Sequence, residues 1–433
     1  MRPLLTGKAP RMTDVLVVGG GIGGLALAQG LRRHGMTVAV YERDRHRDDR
    51  VDRYRLAINP AGSRSLRACL PDRHWQAFTD TAGRPGGGFG FLGTDLRTLV
   101  LVEDALMYPD DPDPAERSYP VDRHTLRGVL LDGLDDAVHY DKAFERYELT
   151  ADGRPTAHFA DGTSATGDVL VGADGINSRV RAQYLPTATQ RDTGAVGVGL
   201  KLPLNDDTRA WLPTRLAEGM NLIVTGAPYF LFTSVFERRQ PVGDDYLLCA
   251  FVARTDLFPS RPERLDGAQL KAYVAGLITD WHPALRQLID RCPPADVSAF
   301  PFQASDRPAP WTPSRVTVLG DAVHGMPPAG GNGANTALRD AALLTRQLSL
   351  ADGGHLPLLD AIGEYETEMR AYGFQAVDLA LRTLHQGMTS NPVSVGLTRG
   401  WFSLCGLASP LRRMTFGASW ARISAPRHWE RAA

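Results

Sequence analysis

Cysteine is scarce in this chain. Four occur in 433 residues (Cys69, Cys249, Cys292 and Cys405), and no two form a C-x-x-C pair. That spacing argues against both a thiolate zinc site and a disulfide framework, and suits free thiols in a reducing cytoplasm. Lysine is also scarce, at Lys8, Lys142, Lys201 and Lys271, with arginine supplying the rest of the 48 basic residues. They are balanced to a net charge of −1, so there is no electrostatic case for nucleic acid. No apolar run reaches the eighteen or so residues of a transmembrane helix, so no integral membrane segment is expected. Arg2, Lys8 and Arg11 ahead of an apolar stretch imitate a secretory signal. Cleavage there would remove the first strand and its glycine loop, so residues 1–11 are read as a disordered extension, with Met12 a candidate start.

What the chain does have is glycine in patterned places. The stretch DVLVVGGGIGGLALAQGLRRHGMTVAVYE runs from Asp14 to Glu42. Asp14–Val18 is a short β-branched run, read as a buried strand. Gly19, Gly21 and Gly24 satisfy G-x-G-x-x-G, Leu25–His34 has helical spacing, and Thr37–Tyr41 reads as a second strand. Gly19 permits the tight turn, Gly21 a close approach of backbone to a pyrophosphate, and Gly24 close packing of helix on sheet. The first helical N–H groups and the positive end of the helix dipole then face the phosphates. Glu42 lies close to the separation expected for a ribose-binding acid. Gly88, Gly90 and Gly93 also match the pattern. There a loop precedes and a strand-like TLVLVE follows, so no helix dipole is available and that copy is rejected.

Further along, the charged stretch after Glu42 is a solvated loop, Leu56–Ile58 a strand, and Pro60 the first residue of a helix. Asp122 is the expected N-cap of a helix carrying Leu126, Val129, Leu130 and Leu134. Val138–Tyr140, Ala143–Leu149 and Thr156–Phe159 read as an antiparallel ribbon, and DVLVGADG as a buried strand. Residues 183–300 change character, with four strand-like runs (GAVGVGLKLPL, NLIVTGA, FLFTSVFE, DYLLCAFVAR) and amphipathic helices in 265–292. The chain is too long for one simple core. The expected division is a nucleotide-binding domain over 12–182 and 301–385, an inserted, mostly antiparallel sheet domain over 183–300 that covers a substrate, and a C-terminal helical segment over 386–433. That last segment is too short and interrupted to span a membrane; it is expected to pack on its own domain, with apolar residues beside Arg412 and Arg413 leaving surface attachment as the alternative.

A second glycine corner stands at VTVLGDAVHGMPPAGGNGAN, where Asp321 ends a strand and Gly331 and Gly333 precede a helix over 334–348. GGGIGG with Glu42, GADGINSRVR and GDAVHGMPPAGGNGAN, in this order, resemble the class A flavoprotein monooxygenases, the family of para-hydroxybenzoate hydroxylase, over about residues 12–385. The resemblance implies an α/β fold with a Rossmann-type FAD-binding domain, FAD as cofactor and NAD(P)H as a transient co-substrate. It places Gly19, Gly21, Gly23 and Gly24 on the ADP part of FAD, Glu42 on its ribose, and Arg43 near the adenine. Arg55 would lie near the pyrophosphate and Arg123 near the ribityl chain. Asp174, with Gly175, would serve FAD and the nicotinamide cofactor, and Asp321 the ribityl chain. Pro327 and Pro328 would lie beside the isoalloxazine ring, with Gly331, Asn332, Gly333, Ala334 and Asn335 presenting backbone groups to it. Asn332 departs from the glutamine common in the family, which a main-chain contact tolerates. His324 is a candidate acid–base, although the family uses histidine there as scaffold.

The implied reaction is insertion of one oxygen atom from O2, through a flavin C4a-hydroperoxide, into a hydrophobic substrate such as a polycyclic aromatic or terpenoid-like natural product. Backbone N–H groups near Gly331–Asn335 would stabilise negative charge on the flavin. No dedicated substrate base is evident. Other chemistries on the same fold stay open: epoxidation, Baeyer–Villiger insertion, reduction or cyclisation of a prenyl compound, or a non-catalytic flavin- or metabolite-binding protein. A halogenase is disfavoured by the absence of a W-x-W-x-I-P run. The expected protein is a cytoplasmic monomer or homodimer.

Overall fold

The computed structural model describes residues 13–47, 49, 54–107, 111–239, 244–259 and 261–417. The N-terminal extension inferred from sequence lies outside them. Five parallel strands form the first sheet, in the order Val316–Val318, Val169–Gly172, Asp14–Val18, Thr37–Tyr41, Val138–His139. The central strand is buried on both faces, and its Val15, Val17 and Val18 are 3% exposed or less. That is why it reads as a continuous apolar run rather than an alternating one. Val138–His139 was expected in an antiparallel ribbon, and instead closes the edge of this sheet. Val40 N donates to Ala137 O at 2.8 Å and Glu42 N to His139 O at 2.9 Å. The edge of the second strand needed a partner for these amides, and two residues suffice. The ribbon itself comprises Phe144–Leu149, Pro155–Phe159 and Ser164–Thr166.

Two helices pack together over this sheet, Ile22–Arg33 and Gly333–Asp352. A methyl group at Gly23 would lie 3.2 Å from Ala337 Cβ, and one at Gly30 only 2.4 Å from Thr345 Oγ1. The contacts advance in the same direction along both helices, so the helices run parallel with their N-termini together. Glycine is needed at this seam because a side chain would push the helices apart.

The second sheet has seven strands, in the order Val297–Ser305, Gln190–Pro203, Tyr246–Arg254, Tyr229–Phe236, Met220–Ala227, Phe89–Gly93, Thr98–Val102. It takes in two strands from before residue 183, and its last strand runs past residue 300. Phe89–Gly93 pairs in parallel with Met220–Ala227, a pairing between distant segments that local pattern does not reveal. The rejected glycine triplet lies at the start of this hairpin and within its first strand. One face packs under the helices Gly267–Leu277 and Pro283–Arg291, through Leu247, Cys249 and Phe251 against Leu270, Val274 and Leu285. Alternate residues point to the other face.

Glu366, on the long helix Leu358–Gly387, is buried at 3% exposure beneath the first sheet. It accepts from Thr317 Oγ1 at 2.8 Å and Tyr184 OH at 3.2 Å. Burial pushes its carboxyl up to about 7 from 4.5. The native state therefore keeps a proton that the unfolded chain has lost, and stability falls as pH rises from 4.5 towards 7. Glu366→Gln should remove this slope, gaining roughly 2–3 kcal/mol over the wild type by neutral pH, with no such gain below the ordinary glutamate range. Melting temperatures of both proteins across that interval check it.

Candidate functional site

One cavity, of about 1630 Å³, lies between the parallel sheet and the bare face of the seven-stranded sheet. The first glycine corner forms part of its wall. Gly19 has φ +111°, and a Cβ there would sit 2.4 Å from Ala173 O. At Gly24 a Cβ would meet Gly19 O at 2.2 Å, so the turn closes only if both are glycine. Gly21, by contrast, has nothing within 4 Å of its missing Cβ. It is the N-cap of Ile22–Arg33 and offers no side-chain cap. The helix Gly333–Asp352 likewise starts at Asn332 without a side-chain cap. By comparison, Asn59, Asp122, Ser178 and Asp266 each cap their helices. Two adjacent, parallel helices thus leave first-turn N–H groups uncapped at one cavity, the arrangement that holds an anionic group. Asn332 Nδ2 is buried without a hydrogen-bond partner among the described residues, and Asn332 lines the same wall. These orphaned donors fit a phosphate-bearing, polyoxygenated cofactor.

The expected site residues on this wall are Gly19, Gly21, Gly23, Gly24, Glu42, Arg43, Arg55, Arg123, Asp174, Asp321, Pro327, Pro328, Gly331, Asn332, Gly333 and Ala334. Glu42 accepts from Gly20 N at 2.6 Å and Asp44 N at 3.0 Å, so it also braces the glycine loop. Asp174 accepts from Ser178 Oγ, Arg179 N and Val180 N. Burial raises its pKa, and those bonds pull it back. Arg55 enters from a two-stranded ribbon, Arg55–Ile58 with Tyr119–Asp122, and Arg123 from the helix that follows it. Asp122 caps the helix Arg123–Leu131 as expected, and its other oxygen accepts from Tyr246 OH at 3.0 Å, tying the ribbon to the second sheet. Asp321 opens onto the cavity while enclosed by protein. Burial pushes its carboxyl up, and the charges of His324 and Arg123 oppose that.

Two expected residues are not on the wall. The side chain of Asn335 is turned away: its Oδ1 accepts from Asn59 N at 2.9 Å, and its Nδ2 donates to Ala57 O at 2.8 Å and Gly331 O at 3.1 Å. It staples the second glycine corner to a strand. His324 is 1% exposed and bonded to the buried Asp340, so a direct acid–base role at the cavity is excluded by position.

The opposite half of the wall is apolar. Met220, Leu222 and Val224 face it, as do Phe230 and Phe232, and Leu248, Ala250 and Val252. The sequence reading missed the roof. Helix Pro392–Leu407 contributes Val395, Leu397, Trp401 and Phe402, and Phe402 packs on Phe91 with ring centroids 4.5 Å apart. Arg399 anchors it by donating to Val224 O and Thr225 O at 2.8 and 3.0 Å. The run VGLTRGWFSLCGL, too apolar for a free surface helix and too short for a membrane, was the available signal. The seven strands and this helix contribute no Asp, Glu, Lys or Arg to the lining. Among the described residues there is no metal-binding group of His, Cys, Asp or Glu, and no helix long and apolar enough to cross a membrane.

Gly24→Ala should be a stringent test of the corner. With backbone 2.2 Å from the new methyl, a destabilisation of roughly 3 kcal/mol is expected, read by denaturant unfolding. Gly21→Ala should leave stability nearly unchanged.

Comparison with known proteins gives one match over each glycine corner. Residues 17–52 match an NAD(P)-binding Rossmann-like domain, and residues 274–380 match an FAD binding domain. A solved structure from Photorhabdus luminescens assigned to the FAD-containing monooxygenases is 35% identical, with a TM-score of 0.79, over 87% of this chain and 98% of that one. The dual O-methyltransferase/FAD-dependent monooxygenase elcB of Phaeosphaeria nodorum is 30% identical over 76% of this chain and 39% of its own length. The chain therefore spans less than half of that relative. The FAD-dependent monooxygenase phnB of Penicillium herquei is 28% identical over 84% of this chain and 88% of its own.

Proposed function

The chain belongs to the FAD-dependent monooxygenases of the para-hydroxybenzoate hydroxylase type, and from that premise we propose that it uses NAD(P)H and O2 to hydroxylate a large, uncharged, polycyclic aromatic or terpenoid-like substrate. The observation that carries this reading is the two-sided cavity. Its volume of about 1630 Å³ exceeds the roughly 300–1,000 Å³ of a single ligand site, so it has room for a cofactor and a sizeable second molecule. One half offers uncapped helix ends and the charged side chains. The other offers aliphatic and aromatic faces with no carboxylate, lysine or arginine from the sheet or the roof helix. The sheet and the roof helix give a small charged acid no counter-charge, and the cation at their border is Arg55, whose Nη1 lies 3.4 Å from Met220 Sδ.

Bound FAD supplies hydride acceptance from NAD(P)H and activation of O2. The residues of the chain supply the rest. Main-chain N–H groups at Gly21 and the turn after it would hold the pyrophosphate, with Glu42 and Arg43 at the adenosine end and Asp321 and Arg123 along the ribityl chain. Pro327 and Pro328 line the cavity where the redox ring would lie, and N–H groups from Gly331 to Ala334, at a helix N-terminus, would stabilise negative charge there. The substrate half excludes water by its apolar lining, which protects a reactive oxygen species from unproductive decay. Trp401 offers an indole against which a planar substrate would pack, beside the mutually packed rings of Phe91 and Phe402.

Purified protein should be yellow, and polycyclic phenols should stimulate its NAD(P)H oxidation. Under 18O2, one labelled atom should appear in the product. Stimulation only by small charged acids, or a product without label, overturns the reading. Ala250→Trp, which fills the apolar half, should raise KM for the substrate about tenfold or more while leaving FAD affinity unchanged.

A further inference from the structure

We propose that His324, though off the cavity wall, is a positioning residue acting through Asp321: clamped by Asp340, its imidazolium is the counter-charge for the carboxylate that faces the cofactor. The inference rests on the FAD reading above and extends it to a residue with no direct access to the ligand.

The geometry is closed on every side. Asp321 and His324 are the first and last residues of a single helical turn, Asp321–His324, and so are i,i+3 neighbours. Asp340 is fully buried, and its Oδ2 lies 2.7 Å from His324 Nε2. The same oxygen accepts from Gly320 N at 2.7 Å, and Oδ1 accepts from Tyr372 OH at 2.7 Å. One carboxylate therefore holds the amide just before the turn and the imidazole at its end. Gly320 has φ +63°, a conformation glycine tolerates, so the turn is set by this bond as well as by the chain. The long helix lies flush on the imidazole: a Cβ at Gly373 would stand 2.5 Å from His324 Cδ2.

The charged and titratable groups around the pair come from four helices. From the helix Gly333–Asp352 come Asp340 and Arg339, the latter over the Tyr372 ring at 4.7 Å. The long helix supplies Tyr372 and Tyr365, whose OH donates to Val318 O at 2.9 Å. Arg181 donates to Ala322 O at 3.2 Å and Ile176 O at 2.8 Å, bracing the turn from the far side. Arg123 is the other cation acting on Asp321. Burial disfavours a charged imidazole, but the charge and hydrogen bond of Asp340, with Asp321 behind them, hold the His324 pKa above its ordinary value. Nδ1 has no hydrogen-bond partner among the described residues, so a charged ring buries one unsatisfied N–H, a cost that the two carboxylates must outweigh. An ionised Asp321 is the stronger acceptor for ligand hydroxyls.

Two measurements test this. In wild-type protein with 15N-labelled histidine, the His324 ring should be doubly protonated at neutral pH. FAD affinity, followed by flavin fluorescence on titrating deflavinated protein across the acid and neutral range, should weaken on acidification as Asp321 takes up a proton. In His324→Gln that weakening should begin about one pH unit higher, and the two proteins should converge at alkaline pH. A neutral His324 ring at neutral pH in the wild type overturns the proposal, as does an unshifted acid limb in the variant. If His324→Gln does not fold, the wild-type ring measurement decides alone. Wild-type protein that fails to bind FAD refutes the function reading instead.

Discussion

Two helices touch at Gly23 and Gly30, and the site depends on that contact. Because a side chain at either position would collide with Ala337 or Thr345, the helices Ile22–Arg33 and Gly333–Asp352 lie close and parallel. Their positive ends are then side by side, which by itself is unfavourable. An anionic ligand placed before both ends relieves that repulsion and satisfies N–H groups left without caps. The electrostatic demand of the fold and the chemistry of the cofactor thus meet at one place.

The rest of the cavity follows from what must surround that place. A ribbon carrying Arg55, with Arg123 opening the helix that follows it, spans the gap to the second sheet, held there by Asp122 and Tyr246. The sheet is covered by helices on one face and leaves the other to the cavity. Strand alternation therefore sorts Leu247, Cys249 and Phe251 into the core and Leu248, Ala250 and Val252 onto the wall. The C-terminal helix closes the roof, anchored through Arg399.

Much of this was legible in one dimension, because it rests on local rules. The glycine spacings of the first corner, Asp122 as a cap and the four strands after residue 183 can each be read from a short window. His324 shows where such reading stops. Its place in a motif beside Asp321 suggested reactivity, yet burial against Gly373 and the bond to Asp340 put it behind the wall. Asn335 adds a second role that short-range reading did not offer: its side-chain amide ties the second corner to Asn59, Ala57 and Gly331.

By itself, the amino-acid sequence determined the strand–glycine–helix corners, the identity of the groups around them and the apolar character of the sheet, since backbone freedom and side-chain period are properties of neighbours in the chain. Only the tertiary structure decided that the two corners share one cavity, that strands from 89–102 complete the sheet, and that residues 392–407 roof it. Those outcomes depend on pairings between segments more than a hundred residues apart, where burial and packing, not local pattern, select the partner.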